Sequence, residues 1–189
     1  HLLRVNPLLA GLLGKIFVRK INDLVLSGRI VEVEAYDGND KASHSYNGLT
    51  KRNEVMFGKP GNLYVYFTYG MHFCANVVTG KEGYGAAVLI RAIEPLEGIS
   101  SLAKNRLNKE NISPKELINL CSGPAKTCKA FVINREQNGI NLSGDEIFIL
   151  DAPEIPASKI VSSPRIGIKK SIDLLWRYYI KDNPFVSKK

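Results

Sequence analysis

Two carboxylates stand two positions apart in one short stretch of an otherwise basic chain. Residues 30–36 alternate apolar and polar side chains, which predicts a β-strand with Glu32, Glu34 and Tyr36 on one face. The simplest interpretation is a half-buried strand whose acidic face is solvated. The alternative is chemical, since a carboxylate kept in a protein that attracts polyanions can activate a water molecule as a general base.

The charge of the whole chain favours an anionic partner. The 189 residues carry a formal net charge of +8, which favours nucleic acid, an anionic surface or an acidic ligand without choosing among them. A hydrophobic content of 44% and a charged content of 23% are typical of a globular protein. The length predicts a single domain over residues 1–189.

The three cysteines, Cys74, Cys121 and Cys128, are odd in number and form no Cys-x-x-Cys pair. They predict neither a disulfide scaffold nor a structural zinc site, and they favour a reducing cytoplasm. No apolar run reaches the length of a membrane span and no signal segment opens the chain, so we expect no membrane partner. Because the sequence starts at His1 rather than Met, we expect a trimmed start.

Strands dominate the first half of the predicted secondary structure. Apolar or alternating runs predict strands at residues 15–20, 23–26, 30–36, 63–68, 72–78, 86–93 and 147–151, with a turn at Ser27-Gly28. Helices are predicted at residues 6–13, 100–109 and 117–121 and from 124 onward, the third behind a capping box of Ser113 and Glu116. Residues 37–60 show no period and predict a long loop, either functional or disordered. Because hairpins outnumber crossovers, we expect an α+β fold, with short helices around a curved, mainly antiparallel, open-barrel-like sheet and a protruding β-hairpin.

Tyrosines cluster on the predicted hairpin. Tyr64 and Tyr66 lie in its first strand, where core packing and a stacking pocket for a base are both open interpretations. Tyr69 lies at the turn, where a large aromatic side chain gains little from burial. An exposed aromatic residue at a hairpin tip suits insertion between base pairs.

Two further motifs admit a chemical and a structural interpretation. Glu32, Glu34, Asp37 and Asp40 could hold a divalent cation for nuclease chemistry, but their spacing matches no known cation loop. His44 has no second His or Cys at metal-ligand spacing, so we expect no metal site. The Ser-Gly-Pro turn at residues 122–124 could seat a phosphate on free backbone amides or could simply open a helix.

Several blocks of the chain resemble the alkyladenine (3-methyladenine) DNA glycosylase family, in the same order and over nearly the whole length. The blocks are residues 28–36 (Gly-Arg-Ile-Val-Glu-Val-Glu-Ala-Tyr), 42–45 (Ala-Ser-His-Ser), 56–66 (Met-Phe-Gly-Lys-Pro-Gly-Asn-Leu-Tyr-Val-Tyr), 69–71 (Tyr-Gly-Met), 89–98 (Leu-Ile-Arg-Ala-Ile-Glu-Pro-Leu-Glu-Gly), 121–126 (Cys-Ser-Gly-Pro-Ala-Lys) and 163–168 (Ser-Pro-Arg-Ile-Gly-Ile). The resemblance implies a single mixed domain and a monofunctional enzyme. Such an enzyme flips a damaged purine out of double-stranded DNA and hydrolyses its N-glycosidic bond.

The resemblance also implies roles for individual residues. Glu34 matches the general base, and Arg91 and the main-chain carbonyl of Ile166 match the groups that position the attacking water. The remaining matches are the base-pocket residues Tyr36, His44, Tyr66 and Asn76 and the inserted residue Tyr69, with Met71 beside it. We expect Asn76 to crowd the exocyclic amine of guanine, although its amide could instead bind a strand backbone.

The basic C-terminal part, with Lys169 and Lys170, is expected to contact DNA phosphates. Two other function classes stay open at this stage, a non-catalytic nucleic-acid-binding module and a metal-dependent nuclease. For the enzyme we expect no cofactor, a monomer, and a cytoplasmic location, on the nucleoid in a bacterium or in the nucleus in a eukaryote. The preferred lesion stays open among 3-methyladenine, 7-methylguanine, hypoxanthine and ethenoadenine. We expect a Glu32→Gln change to be far milder than Glu34→Gln.

Overall fold

The computed structural model describes residues 11–188, in which strands outnumber helices. The strands are β1 (Ile16–Ile21), β2 (Leu24–Tyr36), β3 (Leu63–Thr68), β4 (His72–Val78), β5 (Ala87–Glu97), β6 (Ile147–Leu150), β7 (Ile160–Ser163) and β8 (Arg177–Ile180). The α-helices are α1 (Ile99–Leu107), α2 (Pro114–Asn119) and α3 (Pro124–Ala130). Most of the helix predicted at residues 6–13 lies outside the described residues, and residues 11–14 form a turn.

The strands form one antiparallel sheet that curls on itself. Its order is β3-β4-β5-β2-β1-β6, and β8 pairs with both β2 and β7. The segment of residues 138–143 runs beside β3 before it enters β6, with Leu63 N–H donating to Ile140 O at 2.7 Å. The outer strands are thereby joined through this segment, and the predicted α+β fold with a curved antiparallel sheet is confirmed.

Strand β2 is the central strand of the sheet. It pairs with β5 on one side, and with β1 and then β8 on the other. The turn predicted at Ser27-Gly28 is wrong, because β2 runs through both residues and the chain turns earlier, at Asn22 with φ 53°. Gly28 instead allows β5 to come close, since a Cβ there would lie 2.3 Å from a methyl carbon of Ile93.

The hydrophobic core lies between the sheet and the helices α1 and α3. Phe17 of β1 and Phe131 after α3 are fully buried and pack edge to face, with ring centroids 5.4 Å apart. Each contributes about 2–3 kcal/mol of apolar burial. Val31 and Val33 of β2 join the same core, so Glu32 and Glu34, which alternate with them, lie on the other face of this strand.

The hairpin of β3 and β4 begins and ends at the predicted residues. Its turn has positive φ at both Tyr69 (51°) and Gly70 (67°), a backbone that matches the twist of the paired strands. The predicted capping box before α2 is also present, since Glu116 N–H donates to Ser113 Oγ and Glu116 Oε2 accepts from Ser113 N–H. By contrast, β7 and β8 were not predicted from the basic C-terminal part.

Candidate active site

Glu34 lies at the centre of the sheet, fully buried, and accepts three hydrogen bonds. Arg91 Nη1 and Tyr36 OH donate to Oε2 at 3.1 and 3.0 Å, and Ile166 N–H donates to Oε1 at 2.7 Å. Three donors suit a carboxylate, which can only accept. The expected positioning group at Ile166 was its carbonyl, whereas the contact that reaches Glu34 is made by its N–H.

Arg91 connects Glu34 to the second carboxylate of β2. Its Nε donates to Glu32 Oε1 at 3.1 Å while its Nη1 binds Glu34. The β2–β5 register shifts on both sides of Glu32, and such irregularities re-aim side chains. Burial would lower the pKa of Arg91, but the charges of Glu34 and Glu32 raise it overall, so the guanidinium stays charged between them.

Glu32 is also fully buried, which overturns the prediction of a solvated acidic face. Besides Arg91, it accepts hydrogen bonds from Arg177 Nε at 2.6 Å, Ser187 N–H at 2.7 Å and Ser187 Oγ at 3.0 Å. It therefore ties β2 to β8 and to the C-terminal segment. Because of this environment, we no longer expect a Glu32→Gln change to be mild.

A cavity of ≈ 270 Å³ lies beside this cluster. Arg91 and Ile166 both border it, while Glu34 lies behind them. The structure brings together the predicted pocket residues, since the lining includes Tyr36, His44, Tyr66 and Asn76. Tyr69, predicted as the inserted residue, also borders the cavity. Sequence reasoning missed Met56, Cys74 and Leu89, apolar residues with no distinguishing pattern. Tyr64, for which core packing and a stacking pocket were both open, is buried and also borders the cavity.

His44 and two tyrosines form one wall of the cavity. The rings of His44 and Tyr66 meet edge to face with centroids 4.5 Å apart, and His44 Nδ1 lies 3.0 Å from Tyr64 OH. Burial raises the pKa of Tyr64 to about 12, so this phenol keeps its proton near neutral pH. Partial burial, and then the charge of Arg52, lower the pKa of His44. Its ring is therefore neutral, and Nδ1 can accept a hydrogen bond from the hydroxyl of Tyr64.

The long loop of residues 37–60 is held in place by a buried asparagine. Asn53 Nδ2 donates to His44 O at 2.8 Å and to Gly48 O at 3.0 Å, and its Oδ1 accepts from Thr50 N–H at 2.6 Å. Ser45 Oγ fastens the same loop to Gly85 O at 2.7 Å. These contacts fix His44 against the hairpin, and no sequence pattern indicated them.

Arg165 fixes the segment that carries Ile166. Its buried guanidinium pairs with Asp40, donates to Ala35 O at 2.7 Å and lies over the ring of Tyr36 at 4.7 Å. Burial would raise the pKa of Asp40, but hydrogen bonds from Arg165 and from a backbone N–H lower it overall.

Arginines thus bind all three buried acidic side chains that the nuclease hypothesis offered as metal ligands, Glu32, Glu34 and Asp40. Within residues 11–188, no group of three or more His, Cys, Asp or Glu side chains could hold a metal ion. The site therefore offers no cluster of free carboxylates of the kind that a metal-dependent nuclease uses.

The tip of the hairpin projects from the mouth of the cavity. Tyr69 is 83% exposed and Met71 is 70% exposed, so a large aromatic and a large apolar side chain face solvent together. A positive φ is uncommon for a bulky residue such as Tyr69, and strain of this kind concentrates at functional positions. Lys169 and Lys170 are exposed and directly follow Ile168, which borders the cavity.

The Ser-Gly-Pro turn at residues 122–124 opens α3, as predicted. Pro124 borders the cavity, and Lys126 Nζ donates to Ser122 Oγ at 3.2 Å. Seating of a phosphate at this turn stays a prediction.

Across the described part of the chain, none of the helices has the length and apolar composition that a membrane crossing requires.

Comparison with known proteins identifies the family. The family model described as Methylpurine-DNA glycosylase (MPG) matches residues 5–184. A protein of Francisella tularensis subsp. tularensis (strain WY96-3418) is 51% identical over 181 residues, and one of Alkaliphilus oremlandii is 50% identical over 185. One of Clostridium perfringens (strain SM101 / Type A) is 48% identical over 187. Each match covers 94% of this chain and 91% of the relative, and each relative is named "Putative 3-methyladenine DNA glycosylase". The chain therefore belongs to the methylpurine-DNA glycosylase family, and it is a DNA repair enzyme, a monofunctional hydrolytic DNA glycosylase.

Proposed function

We propose that this enzyme turns an alkylated or deaminated purine out of duplex DNA into the cavity and hydrolyses its N-glycosidic bond with a water activated by Glu34. The observation that carries the proposal is a buried carboxylate held by three donors, Arg91, Tyr36 and Ile166, all of which also border the cavity. A base in the cavity would thus have its sugar next to this cluster.

The hydrogen bonds of Glu34 leave one acceptor position of its carboxylate for a water. A carboxylate has about four acceptor positions, and contacts within residues 11–188 occupy two on Oε2 and one on Oε1. A water donating one hydrogen bond to the remaining position on Oε1 would lie beside Ile166. The carbonyl of Ile166 could accept the second hydrogen bond from this water. As the C1′–N bond breaks, Glu34 takes the proton that this water loses on attacking C1′.

The leaving group explains why one carboxylate can suffice for alkylated bases. Alkylation at N3 or N7 places a positive charge on the purine, which then departs as a neutral base without being protonated first. Among residues 11–188, those that border the cavity include no lysine, the amine that a glycosylase with strand-cleaving activity would use as nucleophile. We therefore assign damaged purines in double-stranded DNA to this site as its substrate class. The residues assigned to the site all lie in one copy of the chain, so the proposal needs no second copy.

Base release from alkylated duplex DNA, measured with and without a chelator, tests the proposal. We expect free methylated purine to appear while both strands stay intact. Nicked strands that disappear on chelation would instead indicate a metal-dependent nuclease. Binding without any release would indicate a non-catalytic binding module, and either result would overturn the proposal.

We expect Tyr69→Ser to reduce excision of ethenoadenine more than excision of hypoxanthine in a mismatch. The exposed ring would occupy the gap left by the turned-out nucleotide, and its removal costs about 1–3 kcal/mol of stacking. A mismatched base is already easier to unpair, so it needs this compensation less. Single-turnover rates on the two lesions measure the difference. Tyr46→Ser, another exposed tyrosine, is the matched control, and equal losses on both lesions would contradict the insertion role.

Asn76→Ser should raise excision of guanine-type bases relative to hypoxanthine. Asn76 borders the cavity and also donates to Tyr64 O at 3.1 Å, so both roles expected of it are compatible with its position. Loss of this hydrogen bond should destabilise the fold by about 1 kcal/mol. The smaller side chain should relax exclusion of the guanine amine by about 1–2 kcal/mol. The measurement is the ratio of the two rates per folded molecule, and an unchanged ratio would remove Asn76 from selectivity.

Lowering the pH from 7 to 5 should weaken binding of cationic damaged bases more than binding of neutral ones. The pKa of His44 is lowered from its ordinary value, so the ring is neutral at pH 7 and gains a proton only below about pH 6.5. A protonated ring beside a cationic alkylated purine adds repulsion that hypoxanthine does not feel. Saturation kinetics between pH 7 and pH 5 should therefore show KM rising for 7-methylguanine and not for hypoxanthine. His44→Gln should abolish the difference, and a rise that persists in this variant would exclude His44 as its cause.

A further inference from the structure

A second concavity lies on the opposite face of the β3–β4 hairpin. On β3, Tyr64, Tyr66 and Thr68 border the base cavity, while the alternate residues Val65 and Phe67 border the second one. Tyr66 also reaches the rim of the second concavity, so it borders both. Its volume is ≈ 540 Å³. We call it the hairpin groove, and its further lining includes Lys51, Arg52, Phe73, Arg135 and Asn138.

Among the residues that the structure describes, those that line the hairpin groove include three basic side chains and no acidic one. Lys51, Arg52 and Arg135 are all exposed, and no ion pair within residues 11–188 involves any of them. Arg52 makes one long hydrogen bond, from Nη2 to Phe67 O at 3.4 Å. Three cations around one concavity repel one another, and an anionic ligand would relieve this repulsion.

Two aromatic rings, those of Phe67 and Phe73, also line the hairpin groove. Phe67 is 40% exposed, and its ring lies 5.0 Å from that of Phe73, which is partly buried. Cations that follow a groove lined with exposed aromatic rings suit a nucleic-acid strand, because phosphates meet the charges while sugars or bases pack on the rings.

The hairpin connects this groove to the base cavity. If Tyr69 at the tip enters the base stack, as the proposed function requires, one face of the hairpin meets the turned-out nucleotide. The other face must then meet the DNA that stays stacked. We infer that the hairpin groove binds the sugar-phosphate backbone of the substrate duplex beside the lesion, with Lys51 and Arg135 contacting phosphates and Phe67 packing on a sugar.

The test compares DNA affinity over a range of salt concentrations for wild type and for the double variant Lys51→Gln, Arg135→Gln. Loss of two phosphate contacts should make the log–log salt slope shallower by about 1.8. It should also raise Kd by roughly tenfold, equally for damaged and undamaged duplex, since phosphate contacts do not read sequence.

The matched control removes two cations elsewhere, with Lys159→Gln and Lys181→Gln. These exposed residues lie at the end of the β7–β8 pair that is remote from Ile166. Their loss should change the salt slope much less than loss of the groove cations. Equal changes in the two double variants would overturn the inference, because the effect would then reflect net charge alone.

Neutral methylphosphonate linkages, introduced one at a time along both strands, locate the contact. At least one position within a few nucleotides of the lesion should weaken binding by wild type but not by the groove variant. Absence of any such position, or wild-type binding by the groove variant, would overturn the inference. Wild-type base release is measured in parallel. If the wild-type enzyme releases no base, the proposed function is wrong. The binding data then still decide whether the hairpin groove binds DNA.

Discussion

Glu34→Gln will slow base release by roughly two to four orders of magnitude while DNA binding persists. Glutamine keeps the shape of the side chain but cannot take a proton from water. Since a negative charge near DNA is also lost, affinity for damaged duplex should be equal or slightly higher. Single-turnover release and equilibrium binding, measured on the same preparation, give both quantities.

The structure adds a condition to this experiment. Arg91 and Tyr36 both donate to Oε2 of Glu34, so the glutamine oxygen should take that place and its NH₂ group should face Ile166 N–H. Two donors in contact cost about 1–3 kcal/mol, and rates must therefore be compared at equal folded fraction.

The matched control is Glu94→Gln on the adjacent strand β5, outside the residues that border the cavity. It should keep wild-type activity. A Glu34→Gln enzyme that also works at the wild-type rate would show that Glu34 is a structural residue.

Glu32→Gln should destabilise the fold by about 3 kcal/mol, the scale for removing one partner of a buried ion pair. Arg177 and Arg91 would each lose their charged partner at this position, and Ser187 would lose an anionic acceptor. Urea unfolding measures the change. Glu110→Gln, which breaks an exposed pair with Lys104, should leave the unfolding midpoint nearly unchanged.

Activity per folded molecule should also fall in the Glu32 variant, because Arg91 loses one of the two carboxylates that orient it toward Glu34. This expectation reverses the mild effect predicted from the sequence. An unfolding midpoint equal to that of wild type would contradict the network described around Glu32.

The parts of the fold that were predicted well depend on local signals. Alternation over β3 and β4 and the Tyr69-Gly70 turn specify the hairpin within sixteen residues. The capping box at Ser113 likewise acts within one helical turn. Patterns of this range can be read from neighbouring residues alone.

The environment of the two carboxylates could not be read in this way. Glu32 is buried by Arg177, which lies 145 positions later, on a strand of four residues that the pattern did not reveal. Alternation therefore identified the polar face of β2 but not what covers it.

The candidate site shows the same division. Its residues were named from resemblance to a family, whereas their joint position depends on long-range contacts such as that of Ile166 with Glu34, 132 positions apart. Asn53 and Arg165, which hold the loop and the Ile166 segment, carry no signal that distinguishes them from surface polar residues.

The most direct test of the central claim follows the oxygen atom that replaces the base. Wild-type enzyme acts on a duplex containing 7-methylguanine, in water enriched in the heavy oxygen isotope, and mass spectrometry then analyses the products. We expect an unlabelled free purine, an intact strand and the heavy isotope at C1′ in products that are reduced within one turnover, before the aldehyde of the abasic sugar exchanges its oxygen with the solvent. A sugar bound covalently to the protein, a cleaved strand or no free purine would contradict hydrolysis by a Glu34-activated water.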